Sequence, residues 1–167
     1  MSKQTSASLY LRNFLFGVED SLVSTSGLLS GVAAAGLARN EIFLSGVVLI
    51  FVEAFSMGAG SFLSEQSADE LLNKRTGFFS NIYGAVIMFV SYFISGFIPL
   101  APYIFLEVSD AFKVSIGLSL VSLFLLGIVS AKFFSQDMAR FGLRMLVVGG
   151  LAIMLGIFAG EMFKLPM

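Results

Sequence analysis

The sequence predicts an all-α, polytopic membrane protein of five transmembrane helices with its N-terminus in the cytosol. Three observations predict it. Of the 167 residues, 57% are hydrophobic and only 13% are charged, whereas a soluble domain is nearer a quarter charged. The mean hydropathy is +0.92. Five apolar stretches are each long enough to cross a bilayer as a helix, which takes about 20 residues, and short polar joints separate them. A membrane barrel would need alternating strands of about ten residues, and that alternation is missing. Helices satisfy their own backbone in lipid, so a helical bundle is the reading.

The first span is placed at 14–38 and opens with FLFGVEDSLVSTSG. The polar segment MSKQTSASLYLRN precedes it. A cleaved signal peptide has a short, uncharged apolar core, so this long, acid-containing span is expected to stay attached. The joint ARNE leads to the second span at 42–64, which carries VVLIFVEAFSMGAGSF. The joint SEQSADELLNKRTG at 64–77 leads to the third, at 80–106, with IPLAPY near its end. EVSDAFK at 107–113 precedes the fourth span at 112–134, and SQDMARFGLR at 135–144 precedes the fifth at 143–163. Residues 1–167 read as one five-helix domain with no appended soluble part.

The basic residues orient this bundle. With the N-terminus inside, the inner loops hold Lys3, Arg12, Lys74, Arg75, Lys132, Arg140 and Arg144, and the outer ones hold Arg39, Lys113 and Lys164. Lys and Arg accumulate on the cytosolic side, so the N-terminus is cytosolic and the C-terminus external.

Composition also excludes several kinds of chemistry. There is no cysteine and no histidine. Disulfides, thiolate or imidazole metal sites and cysteine nucleophiles are therefore absent, as is the commonest general base. The net charge of −1 gives no electrostatic case for nucleic acid. No nucleophile-and-base pairing, phosphate-binding loop or metal-hydrolase spacing is present, so the chain is not read as an enzyme. Any metal must be held by Asp, Glu, Met, hydroxyls, carbonyls or water.

The unusual residues are acids inside the spans. Glu53 lies in the middle of the second segment. A carboxylate near the bilayer centre costs at least ~2.5 kcal/mol, so it normally faces a polar interior and has a function there. Glu19 and Asp20 stand side by side in the first span. The face of Asp20 continues through Ser24, Gly27 and Gly31 at helical spacing, a stripe of small and hydroxyl residues that allows close helix approach or a wet path. On the second span Glu53, Met57, Gly60 and Ser64 share a face. A carboxylate one turn from a thioether is a mixed hard and soft donor pair, which suits a borderline divalent transition ion better than Mg²⁺ or Ca²⁺. Glu107 and Glu161 lie near span ends and read as solvated termini.

Two blocks together resemble the vacuolar iron transporter (Ccc-type) family. FGVEDSLVSTSGLLSGVAAAGL at 16–37 is similar to the family's first-span pattern of an acid, a hydroxyl-rich run and a Gly/Ala stretch. EAFSMGAGSFLSEQS at 53–67 is similar to its second-span pattern around Ser-Met-x-x-Gly. IPLAPY at 98–103 and LRMLVVGGLAIMLGIFAG at 143–160 resemble the third and fifth spans. The resemblance implies five helices, a cytosolic N-terminus and a homodimer with the ion path near the subunit interface. It implies Fe²⁺, with Mn²⁺ or Co²⁺, exported from the cytosol in exchange for protons. No permanently bound cofactor is implied. Asp20 falls on the family's first-span acid and Met57 on its second-span methionine. Both are expected to line the path, with Glu53 beside them as a third metal ligand and Ser24 and Ser56 as polar lining.

The chain departs from the family in three places. Ser21 follows the acid where Gly is common. The second-span Glu of eukaryotic members falls on Leu49, and Glu53 is read as its stand-in. The long Glu-rich insert after the second span is reduced to 64–77, so this is a short form. Within it Glu65, Asp69 and Glu70 are candidates for a small acidic inner mouth, and Glu19 is a candidate for proton coupling or for that same mouth.

Two other readings stay open at this stage. One is a small proton-coupled exporter of organic cations, for which Phe51 and Phe55 would flank Glu53. The other is a structural or assembly membrane protein, in which Gly27-x-x-x-Gly31 and Gly156-x-x-x-Gly160 are packing motifs only. Short length and the lack of an organellar address favour a prokaryotic inner membrane.

Overall fold

A computed structural model describes residues 3–72, 78–134 and 137–164. Among the described residues every regular element is a helix. They are α1 (Lys3–Ala34), α2 (Arg39–Leu71), α3 (Phe78–Leu100), α4 (Pro102–Phe105), α5 (Val108–Phe134) and α6 (Met138–Met162). Lys74 and Arg75, part of the charge count above, lie outside the described residues.

The helix boundaries follow from local chemistry. α1 stops at Ala34 because Gly36 takes a left-handed φ of 90°. The amide of Leu37 then reaches back to the Val32 carbonyl at 3.2 Å and that of Gly36 to Ala33 at 3.0 Å, a glycine-based C-terminal motif. Arg39 and Asn40, expected in the joint, already belong to α2. The Glu41 carboxylate accepts the Ala38 amide at 2.8 Å and closes the first turn of α2. Within the expected third segment, α3 ends at Leu100 and the single turn α4 begins at Pro102, whose ring removes a backbone donor. At the start of α6, Asp137 accepts the Arg140 amide at 2.8 Å, the usual role of an Asp at that position.

Four helices are long and apolar enough to cross a membrane: α2, α3, α5 and α6. α1 is not among them, although its 32 residues make a rod of about 48 Å. Its hydroxyls and two acids lower its hydropathy. Its position explains how they are tolerated, because α1 packs against α2, α3, α5 and α6. Ser21, Leu22, Thr25, Ser26 and Leu29 of α1 are fully buried, while large apolar side chains of α2 and α6, such as Phe55 and Leu155, face outward. The helix with the most polar residues is thus wrapped by those that can meet lipid.

Two apolar clusters hold the bundle. One joins Leu29, Ile42, Ile50, Leu100 and Tyr103. The other joins Leu15, Leu22, Leu123, Leu126 and Met145. Between α1 and α6 the contact is backbone on backbone. A Cβ on Gly31 would stand 2.7 Å from the Gly156 carbonyl oxygen, and Cβ atoms on Gly156 and Gly160 would collide with the carbonyls of Gly27 and Gly31. The two Gly-x-x-x-Gly motifs therefore pack on each other within one chain. This also divides the small-residue stripe of α1: its Gly27–Gly31 half is covered by α6, and its Asp20–Ser24 half is left for the site.

Candidate metal site

Successive residues of a helix point about 100° apart, so Glu19 and Asp20 leave α1 in different directions. Asp20 lies within electrostatic range of Glu53 on α2. Glu19 enters a separate cavity of about 320 Å³ between α1, α5 and α6, where Arg12, Ser130 and Arg144 also face. The two acids that are neighbours in sequence therefore face different helices, while staying within electrostatic range of each other.

Asp20 and Glu53 are both half-buried. One turn along α2, Met57 is half-buried and Ser56 exposed. Both line a second cavity, about 650 Å³, which also receives Arg12, Glu65 and Met88. This cavity runs toward the end of the bundle that carries the α1 N-terminus. It brings a second thioether, Met88 of α3, to the same space as Met57. Ser24 points to α3, where its hydroxyl meets the Tyr92 hydroxyl at 2.6 Å.

The three acids at the end of α2 take different partners. Glu65 forms an ion pair with Arg12 of α1. Asp69 accepts a hydrogen bond from the Asn81 amide at 3.1 Å. Glu70 is exposed. Asn13 of α1 donates to Ser61 of α2 at 2.9 Å. The mouth of the cavity is thus a set of cross-helix polar pairs more than a bare acidic ring. Among the described residues no group of three or more acids is arranged to hold a metal by itself.

Three further residues of this region have no site role in the sequence: Arg12, Met88 and Tyr92. Arg12 was read only as an orienting charge, and its pairing with a residue 53 positions away has no local signature. Met88 looks like core filler, as most membrane methionines are. Tyr92 did carry a signal, because a phenol halfway along an apolar span needs a partner for its hydroxyl.

Compared with known families, the chain matches the profile of the VIT family over residues 11–77 and 72–161. A search of curated protein sequences gives no match. The family matches run from within α1 to the end of α6, and so include both helices that carry the acids. The chain therefore belongs to the VIT family, the vacuolar iron transporters, and is a multi-pass membrane protein of a metal-transporting family.

Proposed function

We propose that this protein exports Fe²⁺, with Mn²⁺ or Co²⁺ as further substrates, from the cytosol in exchange for protons. The observation that carries the reading is that Asp20 of α1 and Glu53 of α2 lie within electrostatic range of each other, with Met57 one turn from Glu53 on α2. Two carboxylates near each other bind a divalent ion or protons, and the two compete. An acidic outer side protonates the pair and releases the metal, because protonation removes the negative oxygen ligands. Met57 supplies the soft donor that favours a transition ion over Mg²⁺. Ser24 and Ser56 add hydroxyl oxygens along the way. Glu19, in its own cavity with Arg12 and Arg144, is the proton-coupling candidate, and Glu65, Asp69 and Glu70 form the inner mouth.

In this reading α1, α2, α3, α5 and α6 are the five spans of a single domain covering residues 1–167. The helix ends support a cytosolic N-terminus: Arg12, Lys132, Arg140 and Arg144 fall at one end of the bundle, and Arg39, Lys113 and Lys164 at the other. A homodimer completes the donor set by supplying two copies of Asp20, Glu53 and Met57. The host is a prokaryotic inner membrane.

Purified protein in sealed liposomes tests this directly. It is expected to carry Fe²⁺ and to leave a quaternary ammonium dye outside. Met57→Ala should reduce Fe²⁺ uptake about tenfold and Mn²⁺ uptake less, since only the softer ion depends on sulfur. Dye transport without Fe²⁺ transport would favour the organic-cation exporter. Equal loss of both metals in Met57→Ala would remove the soft-ligand role.

A further inference from the structure

Several serine hydroxyls inside these helices are spent locally. Ser26 donates to the Leu22 carbonyl at 2.5 Å, Ser95 to Ser91 at 2.6 Å, Ser119 to Ser115 at 2.7 Å and Ser130 to Leu126 at 2.7 Å. Each bonds one turn back, the default for a helical serine in an apolar setting. A hydroxyl bonded this way lies flat against its own helix.

Ser24 breaks the pattern. Its partner one turn back would be the carbonyl of Asp20. Instead its hydroxyl meets the Tyr92 hydroxyl across the α1–α3 contact at 2.6 Å. Ser21 does the same with the other end of that residue, donating to the Tyr92 carbonyl at 2.7 Å. Tyr92 is completely buried, and its hydroxyl lies within electrostatic range of both Asp20 and Glu53. Thr25 Oγ1, also buried, lies close to the Tyr92 hydroxyl but makes no hydrogen bond of full geometry among the described residues. Tyr92 of α3 therefore holds α1 at both ends of the turn that follows Asp20, by its backbone carbonyl at Ser21 and by its phenol hydroxyl at Ser24.

We propose that Tyr92 is a positioning residue of the metal path: it holds the Ser24 hydroxyl off the Asp20 carbonyl and keeps it as an oxygen ligand beside the Asp20 carboxylate. A serine hydroxyl has one proton and two lone pairs. Whichever of the two hydroxyls donates in the Ser24–Tyr92 bond, Ser24 keeps a lone pair free for a passing ion. Without the phenol hydroxyl, Ser24 returns to the bond one turn back and turns its oxygen toward the α1 backbone. Oxygen donors matter most to the harder of two competing ions, so Tyr92 also biases selection toward Mn²⁺ relative to Fe²⁺.

This inference rests on the transport reading above and is tested in the same liposomes. Tyr92→Phe keeps the buried ring and removes only the hydroxyl. Tyr92→Phe and Ser24→Ala are each expected to raise the KM for Mn²⁺ roughly 3- to 10-fold, the effect of one lost neutral hydrogen-bonding group. The KM for Fe²⁺ should rise less, and turnover at saturating metal should be little changed. The double variant should be no worse than either single one, because both act through the same oxygen. Native KM values in Tyr92→Phe, or effects that multiply in the double variant, would overturn the proposal. If Tyr92→Phe does not fold, Ser24→Ala decides alone: an unchanged KM overturns the proposal, and a raised KM with a lowered Mn²⁺-to-Fe²⁺ ratio supports it. Asp20→Asn serves as the control. Flux that survives Asp20→Asn defeats the transport site itself, whereas flux lost in Asp20→Asn but native in Tyr92→Phe and Ser24→Ala defeats only the role of Tyr92.

Discussion

Asp20→Asn is expected to lower metal flux by more than about 100-fold, since even outer-shell partners of metal ligands are worth 10- to 100-fold. The same change is expected to leave the protein at least as stable. Asn has the shape of Asp without its charge, and a charge within a span costs at least ~2.5 kcal/mol of insertion free energy. Asp20 also stands within range of a second carboxylate, Glu53, so removing one of two like charges relieves repulsion. A residue kept for packing would show the opposite pattern, with stability lost and function following it. The check is paired: thermal stability of the purified variant beside its Fe²⁺ flux. Flux near the native level would end the assignment of Asp20, and so would a flux loss that only tracks unfolding.

Gly156→Leu is expected to damage the fold itself. A Cβ there runs into the Gly27 carbonyl, a backbone atom of another helix that cannot rotate away. α1 and α6 must separate, and both Gly-x-x-x-Gly faces lose their contact. Overpacking of this kind costs about 1–3 kcal/mol or more, and here it loosens the helix that carries Asp20. Gly150 lies less than two turns away on α6, yet nothing lies within 4 Å of its Cβ position. Gly150→Ala should therefore stay within ~0.5 kcal/mol of the native chain, as open-surface substitutions do. Thermal melts of the two variants in detergent make the comparison. Equal stability would show that the α1–α6 contact is not as close as described.

How much of this was legible in the sequence differs by residue. The helical class followed from apolar length alone, and the structure agrees. α1 reads as a span from the length of its apolar stretch at 14–38, yet by hydropathy it falls short, because its acids and hydroxyls lower the average; four other helices shield those residues. That shielding is a tertiary fact which no window average contains. Asp20 and Glu53 stood out because a carboxylate in an apolar run is conspicuous. Their mutual approach was not visible, since it depends on how α1 crosses α2. Glu19 shows the limit most plainly: adjacent to Asp20 in sequence, it opens into a cavity between α1, α5 and α6, while Asp20 lies toward Glu53 of α2. The pairing of the two Gly-x-x-x-Gly motifs was equally hidden, because each motif alone fits a partner in another chain as well as one in its own. Tyr92 carries no charge to make it conspicuous in an apolar run, and its contact with the Ser24 hydroxyl depends on how α3 packs on α1.

Proton-coupled metal export by way of Asp20 is the central claim, and one flux measurement tests it most directly. Fe²⁺ uptake is followed into sealed liposomes with an acidic lumen and with a lumen at the outside pH, for the native chain and for Asp20→Asn. Rapid uptake is expected only for the native chain and only into the acidic lumen. Uptake that ignores the pH difference, or none at all from correctly folded native protein, would contradict it.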